Sequence, residues 1–467
     1  MNRERFAWTI SVVLLAMLAF QLPGSLAQRD DDYSFVATLV DIHRRVSANY
    51  VENVDESKLR EAAIDGMLSQ LDPFTMYVPP AKQEDFDRML EGSFKGVGIQ
   101  LSQLDNGNVE VVTPIEGSPA FKAGVLAGDI ITKVNGEGID GIRLQDVISK
   151  IAGPLGTEVK LTVKHVTGAE QELKMTREEI VIPSIKGFER RADTNWDFYI
   201  SKDPKIAYVR MTQFTSDVAD KLREALVPLI NDGMKGLILD LRFNPGGRLE
   251  EAVQVVDMFI SKGTIVSTRG RNRPESSRSA TEAGTLPFFP MVVLVNEHSA
   301  SASEIVAGSL QDNRRALVVG ERTYGKGSVQ EVIPLEGNGG ELKLTVAYYY
   351  LPSGRLVHKK KDATEWGVQP QVQVTLDPEA EGRAYQQINA RDRYLRPTTG
   401  PADSGSDQAS AAPATTPTSQ PAVDAQLQRA VDTLVATILL QGGDPQYLSA
   451  KTSRLAAPST LPAEKPN

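Results

Sequence analysis

The segment Asn296-Glu297-His298-Ser299-Ala300-Ser301-Ala302-Ser303-Glu304 places three serines between an aliphatic run, Met291 to Val295, and a helical pattern running from about Ser301 to Asp312. A hydroxyl at a strand-to-helix junction meets unpaired backbone N–H groups and the positive end of a helix dipole, and both stabilise an oxyanion growing beside it. Taken alone, the same residues also describe an N-cap with small side chains for close packing. A serine nucleophile needs a base, and the chain offers four histidines, His43, His165, His298 and His358. His43 lies in a helical stretch, His165 in a β-rich one, and His298 is only three residues before Ser301. Lys326, in Gly325-Lys326-Gly327-Ser328-Val329-Gln330, is the better candidate, because flanking glycines admit its side chain to a crowded site. It would act as a base once burial lowered its pKa from about 10.4 towards 7. Gln330, four residues on, can orient the amine by a hydrogen bond. Asn244-Pro245-Gly246-Gly247 frees the backbone to turn N–H groups towards a ligand, which makes it an oxyanion-hole candidate as well as a tight turn.

Two nucleotide signatures fail on inspection. Gly320-x-x-x-x-Gly325-Lys326 opens like a phosphate-binding loop, but Gly327 stands where a magnesium-binding hydroxyl is required. Gly96-Val97-Gly98 lacks the third glycine of a dinucleotide fingerprint, since Leu101 occupies its place.

The elements that position these residues read as an α/β layered core. Continuous aliphatic runs at Ile206–Val209, Leu237–Leu241, Met291–Val295 and Ala316–Val319 are expected of strands covered on both faces. Between them, Ser216 is expected to cap a helix carrying Val218, Leu222, Ala225 and Leu226 on one face, and Leu249, Val253, Val256 and Phe259 line the next. Upstream, Phe35, Leu39, Ile42 and Val46, then Leu59 to Leu71, recur at helical spacing, with a short helix from about Lys82 to Leu90. From Gly92, short β-rich runs separated by Gly, Pro and Asn turns predict a compact module, with strands at Val97–Leu101, Val109–Val112, Ile130–Val134, Glu158–His165 and Glu170–Thr176. After Leu395 the composition turns to Pro, Thr, Ala, Ser and Gly, and an amphipathic helix follows from Val423 to Leu440.

The whole chain has 467 residues and a net charge of −9, with a globular balance of apolar and charged residues and no cysteine. Two or three domains are expected. The acidic balance, with no segregated basic run, argues against nucleic acid. Absence of cysteine removes disulfides, thiol nucleophiles and Cys-ligated metals. Arg3 and Arg5, the apolar run Ala7–Phe20 and the small residues at Ser25-Leu26-Ala27 form a secretory signal, which places the remaining chain in the periplasm or another extracytoplasmic space. The run is short for a span, so cleavage is favoured over anchoring in the inner membrane.

In the β-rich module, Ser118-Pro119-Ala120, Ala123-Gly124-Val125, Gly128-Asp129-Ile130-Ile131 and Val134-Asn135-Gly136 resemble a PDZ domain. Phe94-Lys95-Gly96-Val97-Gly98-Ile99 looks like its carboxylate-binding loop, so Gly96, Val97, Gly98 and Ile99 are expected to hold a peptide C-terminus. With the Asn-Pro-Gly-Gly turn, Ser-Ala-Ser-Ala-Ser-Glu and Tyr-Gly-Lys-Gly-Ser-Val-Gln, the order resembles the C-terminal processing peptidases, the tail-specific serine proteases, over about Phe35 to Thr375. Twenty-five positions separate Ser301 from Lys326, as in that family.

The resemblance implies a crotonase/ClpP-like core with an inserted PDZ domain. With the signal, linker and C-terminal helix read from composition and pattern, the chain is expected to divide into a signal peptide (1–27), an N-terminal helical region (28–91), the PDZ domain (92–177), the serine peptidase core (178–395), a disordered linker (396–422) and a C-terminal helix and tail (423–467). The resemblance makes Ser301 the nucleophile, Lys326 the base, Gln330 the residue that positions it, and the N–H groups of Gly246 and Ala302 the oxyanion hole. Asp312 matches an aspartate of more structural than chemical role. The implied enzyme is an endopeptidase needing no cofactor or metal. Its partners are unfolded or tail-exposed proteins, with an adaptor lipoprotein and self-assembly compatible with the pattern. Two positions depart from it: His298-Ser299 replaces a more usual Gly followed by Ser or Thr, and Gln371 follows Pro370 in place of Asp. A PDZ adaptor or holdase with an inert core, and an anchored signalling protein, are the competing readings.

Overall fold

The computed structural model describes residues 36–392, apart from positions 105, 116, 127, 166–167 and 192–194, and residues 424–441. The expected signal, linker and tail lie outside the described residues. The chain forms two compact units divided between Tyr77 and Val78.

The first unit contains a helix over 36–49 and the helix Glu56–Leu68, whose N-cap Asp55 accepts the N–H groups of Ser57 and Lys58. Leu39 and Ile42, spaced to form a buried face, stay about half exposed, at 46% and 54%. The unit alone is too small to cover them.

In the second unit the helix Gln83–Glu91 leads into the β-rich module. Strands Ile99–Gln103, Val109–Pro114, Ile130–Val134, Glu158–Lys164 and Glu170–Thr176 form an antiparallel sheet in that order. Val159, Leu161 and Val163 alternate inwards and pack with Val111, Val134 and Val147. The strand expected over Val97–Leu101 begins two residues later and runs from Ile99 to Gln103. Ser93–Gly96 pairs with Glu178–Val181, and a new strand starts at Ile99. Gly98 makes the break at φ +76°, where an added Cβ would lie 2.3 Å from that of Ser118.

The core is a parallel sheet of β1 (Lys205–Met211), β2 (Gly236–Asp240), β3 (Met291–Val295), β4 (Leu317–Gly320) and β5 (Val372–Gln373), adjacent in that order. Alternate residues of each strand face opposite layers. Ala207, Val209, Leu237, Leu239 and Val293 pack with helices α1 (Val218–Asn231), α2 (Leu249–Asp257) and α3 (Ala302–Asp312). Helix α4 (Pro378–Asp392) precedes α5 (Ala425–Gln441), which covers the other face, where Leu427, Ala430 and Leu434 meet Ile206, Tyr208, Ile238, Val292 and Leu294. Cover on both sides is why these strands read as unbroken aliphatic runs. Asp217, not Ser216, stands at the N-cap of α1, without a side-chain capping bond. A second, antiparallel sheet of Ser328–Pro334, Glu341–Tyr350, Thr264–Gly270 and Arg273–Ser279 flanks this core.

Candidate active site

The turn from β3 into α3 is built from side-chain bonds to backbone. The Ser299 hydroxyl accepts from the Asn296 N–H at 3.0 Å and donates to the Leu241 carbonyl at 2.8 Å. The Asn244 carbonyl accepts from Ala300 N–H and from the Ser303 hydroxyl, each at 3.0 Å, which joins the glycine turn after β2 to this one. Ser301 follows with φ 57° and ψ −115°, a conformation costing a side-chain-bearing residue on the order of 1–3 kcal/mol. Such strain persists only where surrounding bonds over-determine it, and strained serines at strand-to-helix turns are typical of nucleophiles.

Glu304 supplies much of that restraint. One carboxylate oxygen accepts from the Ser301 N–H and the Lys326 N–H, both at 2.8 Å; the other accepts from the Thr323 hydroxyl and the Gly325 N–H, both at 2.6 Å. Thr323 Oγ1 itself accepts from Val368 N–H at 2.7 Å, so its own proton is directed at Glu304. Four donors on four lone-pair sites describe an ionised carboxylate. Complete burial works against this and pushes the group up to about 7, while the same hydrogen bonds pull it back. On the other side, the Tyr349 hydroxyl donates to the Lys326 carbonyl and lies 3.0 Å from the Ser301 carbonyl. One carboxylate and one phenol thus tie together the backbones of Ser301 and Lys326.

The glycines beside Lys326 are required by neighbouring chain. A Cβ on Gly327 would come within 2.3 Å of the His358 nitrogen, and one on Gly325 within 2.6 Å of the Trp366 ring. Gln330 stands on the strand Ser328–Pro334, four residues after Lys326. Its amide nitrogen donates to the hydroxyls of Ser328 at 2.7 Å and Thr345 at 3.3 Å.

Gly246 does lie beside the serine. A Cβ there would fall 2.7 Å from that of Ser301 and 3.0 Å from the Ala302 nitrogen, and its φ of +100° suits only glycine. Its N–H, however, donates to the Asn244 side chain at 2.9 Å, so it must turn from that bond before it can serve an oxyanion. Ala302, as the first residue of α3, has no carbonyl within the helix for its N–H. Asp312 accepts the Ser353 N–H at 3.0 Å, a link at the far end of the same helix. His298 faces away into a separate group, its Nε2 3.3 Å from Glu381.

In the β-rich module, Gly96 sits in the ladder opposite Glu178. The carbonyls of Val97 and Gly98 accept from Ala120 at 2.9 Å and Ile115 at 2.8 Å, while their N–H groups have no acceptor among the described residues. Ile99 lines a cavity of about 410 Å³ between module and core, with Phe94 and Ile115 on one side and Arg210, Phe243 and Tyr385 on the other.

Glu304 and Tyr349 were not singled out by sequence. Glu304 closes the serine run, but three residues after Ser301 it reads as half of a capping box.

A serine peptidase is the class that this fold and site define, and comparison with known proteins agrees. A model described as "Peptidase family S41" matches residues 205–374, "PDZ domain" matches 110–165, and "Activating protease CtpB N-terminal domain" matches 23–80. The carboxy-terminal-processing protease of Bartonella bacilliformis is 40% identical over 362 residues, covering 76% of this chain and 80% of that protein. The carboxy-terminal processing protease CtpA of Bacillus subtilis is 34% identical over 342 residues, covering 72% and 68%. A solved photosystem II D1 C-terminal processing protease aligns at 31% identity and a TM-score of 0.42, over 72% of this chain and 86% of that one. On its sequence relatives, the chain belongs to the carboxy-terminal processing proteases of peptidase family S41.

Proposed function

We propose that the protein is an exported endopeptidase that captures the C-terminal end of other proteins through its PDZ domain and cuts inside the captured tail by a Ser301–Lys326 acyl-enzyme mechanism. The observation that carries this is the pairing of Ser301 and Lys326 across Glu304 and Tyr349, beside Gly246 and Ala302. Neutral Lys326 takes the proton of the Ser301 hydroxyl as Oγ attacks the scissile carbonyl, and the N–H groups of Ala302 and a released Gly246 hold the oxyanion. The lysinium then protonates the leaving amine, and water repeats the cycle on the acyl-serine. Gln330 would steady the amine through its side-chain carbonyl oxygen, its amide nitrogen being held by Ser328 and Thr345. Capture of the tail turns remote binding into positioning of the scissile bond. The free N–H groups at Val97 and Gly98 and the cavity beside Ile99 support that route. Unfolded or tail-exposed proteins are the substrates, delivered alone or by an adaptor lipoprotein. Export rests on the N-terminal signal; among the described residues no helix is long and apolar enough to cross a membrane.

The test is incubation with an unfolded substrate bearing an apolar tail, read by product mass. Ser301→Ala should abolish cleavage and leave tail binding intact, and Lys326→Arg and Lys326→His should lose activity. Wild-type activity should rise with pH as Lys326 deprotonates. Cleavage at the wild-type rate by Ser301→Ala would refute the reading in favour of an inert PDZ adaptor.

A further inference from the structure

Glu297, His298 and Glu381 gather two carboxylates and an imidazole that peptide hydrolysis does not use. His298 Nε2 lies 3.3 Å from Glu381 Oε1 and 3.9 Å from Glu297 Oε1, and the three ligand atoms all fall within 4.8 Å of one another. Ligands held ~2.0–2.1 Å from one tetrahedral ion stand ~3.3 Å apart. The His298–Glu381 spacing already meets that requirement. Glu297, with a side chain 66% exposed, closes the remaining gap by rotation.

The charge balance points the same way. Among the described residues neither carboxylate has a Lys or Arg partner, and the other side-chain bond to Glu381 is from Asn296 Nδ2 at 3.4 Å. Neighbouring carboxylates repel, and a dipositive ion offsets both. The imidazole is also oriented in advance. Its ring stacks on Phe243 at 5.4 Å and 22°, and Phe243 meets Tyr385 of α4 edge-on at 5.0 Å.

We infer that Glu297, His298 and Glu381 form a surface site for a divalent transition-metal ion, which ties α4 to the turn leading to Ser301. Imidazole with carboxylates suits Zn²⁺ and its neighbours, whereas Mg²⁺ prefers an all-oxygen shell. The site plays no part in the acyl-enzyme chemistry and stands or falls separately from it.

The full chain, free of affinity-tag histidines and treated with chelator, is titrated with ZnCl₂ by calorimetry and melted with and without the ion. One Zn²⁺ per chain and a raised melting temperature are expected. His298→Ala and Glu381→Gln should each weaken affinity about tenfold or more and remove the shift. His43→Ala, which removes the histidine paired with Glu56, should leave both unchanged. Circular dichroism and melting without metal establish that each variant is folded. A wild-type chain that takes up no Zn²⁺, a His298→Ala chain that keeps its affinity, or Mg²⁺ bound as tightly as Zn²⁺ would overturn the assignment.

Discussion

Glu304 carries four donors on one carboxylate, two of them the N–H groups of Ser301 and Lys326. A carboxamide cannot accept all four. In Glu304→Gln at least two buried donors lose their partner, at about 1–3 kcal/mol each, so urea unfolding should show a loss of about 2–6 kcal/mol together with a fall in kcat. The pH dependence follows from burial, which lifts the folded group to about 7 against an ordinary 4.5. The folded chain therefore holds this proton longer than the unfolded chain does, and the contribution of Glu304 to stability falls as pH rises from 4.5 to about 7. Activity should move the opposite way, because a proton on Glu304 must displace one of its four donors. The acid limb of a wild-type kcat profile should therefore carry Glu304, near that value, as well as Lys326, and Glu304→Gln should keep only the shallower limb of Lys326; a limb of unchanged slope would refute the assignment. Ser301 and Lys326 could be found by type and spacing. The role of Glu304 could not, because its partners at 301, 325 and 326 are backbone groups, which every residue type but proline offers alike.

At the level of elements, the buried Asp129 carboxylate accepts the Leu126 N–H and bonds His165 Nδ1 at 2.7 Å, pinning a turn of the PDZ module to the end of the strand Glu158–Lys164. The bond to Asp129 raises the His165 pKa above 6.5, with a lesser contribution from Gln171. The pair's stabilisation is thus complete below 6.5 and lost as pH rises through the higher folded value. Hydrogen exchange at the Leu126 N–H should accelerate over that range in the wild type, and His165→Ala should be fast throughout. Which elements could be read from sequence follows their burial. The strands β2 and β3, buried along their whole length, stood out as aliphatic runs. Arg273–Ser279 is exposed at every position and pairs with Thr264–Gly270 through its backbone, so no apolar period marks it. The break at Gly98, before the strand that starts at Ile99, has no local signal, because a close approach to Ser118, from twenty residues away, sets it.

Across the whole molecule, α5 completes a buried ionic chain beneath the glycine turn. Arg242, fully buried, donates to Asp240 at 2.8 Å and to Asp424 at 2.9 Å, and Tyr208 donates to Asp240 at 2.7 Å. Asp424→Ala leaves an Arg242 N–H without that acceptor, at about 1–3 kcal/mol, and should lower kcat as well, since Phe243 and Asn244 follow Arg242 directly. Leu434→Ala should cost about 2–5 kcal/mol by urea unfolding with kcat unchanged, because Leu434 packs on the sheet away from that turn. Equal effects of the two on kcat would refute the distinction. A growing polypeptide has made its serine and lysine long before α5 is translated. Until that helix leaves the ribosome, Arg242 lacks one of its counter-ions and a sheet face lies bare, so the layered core can close only after translation has passed residue 441.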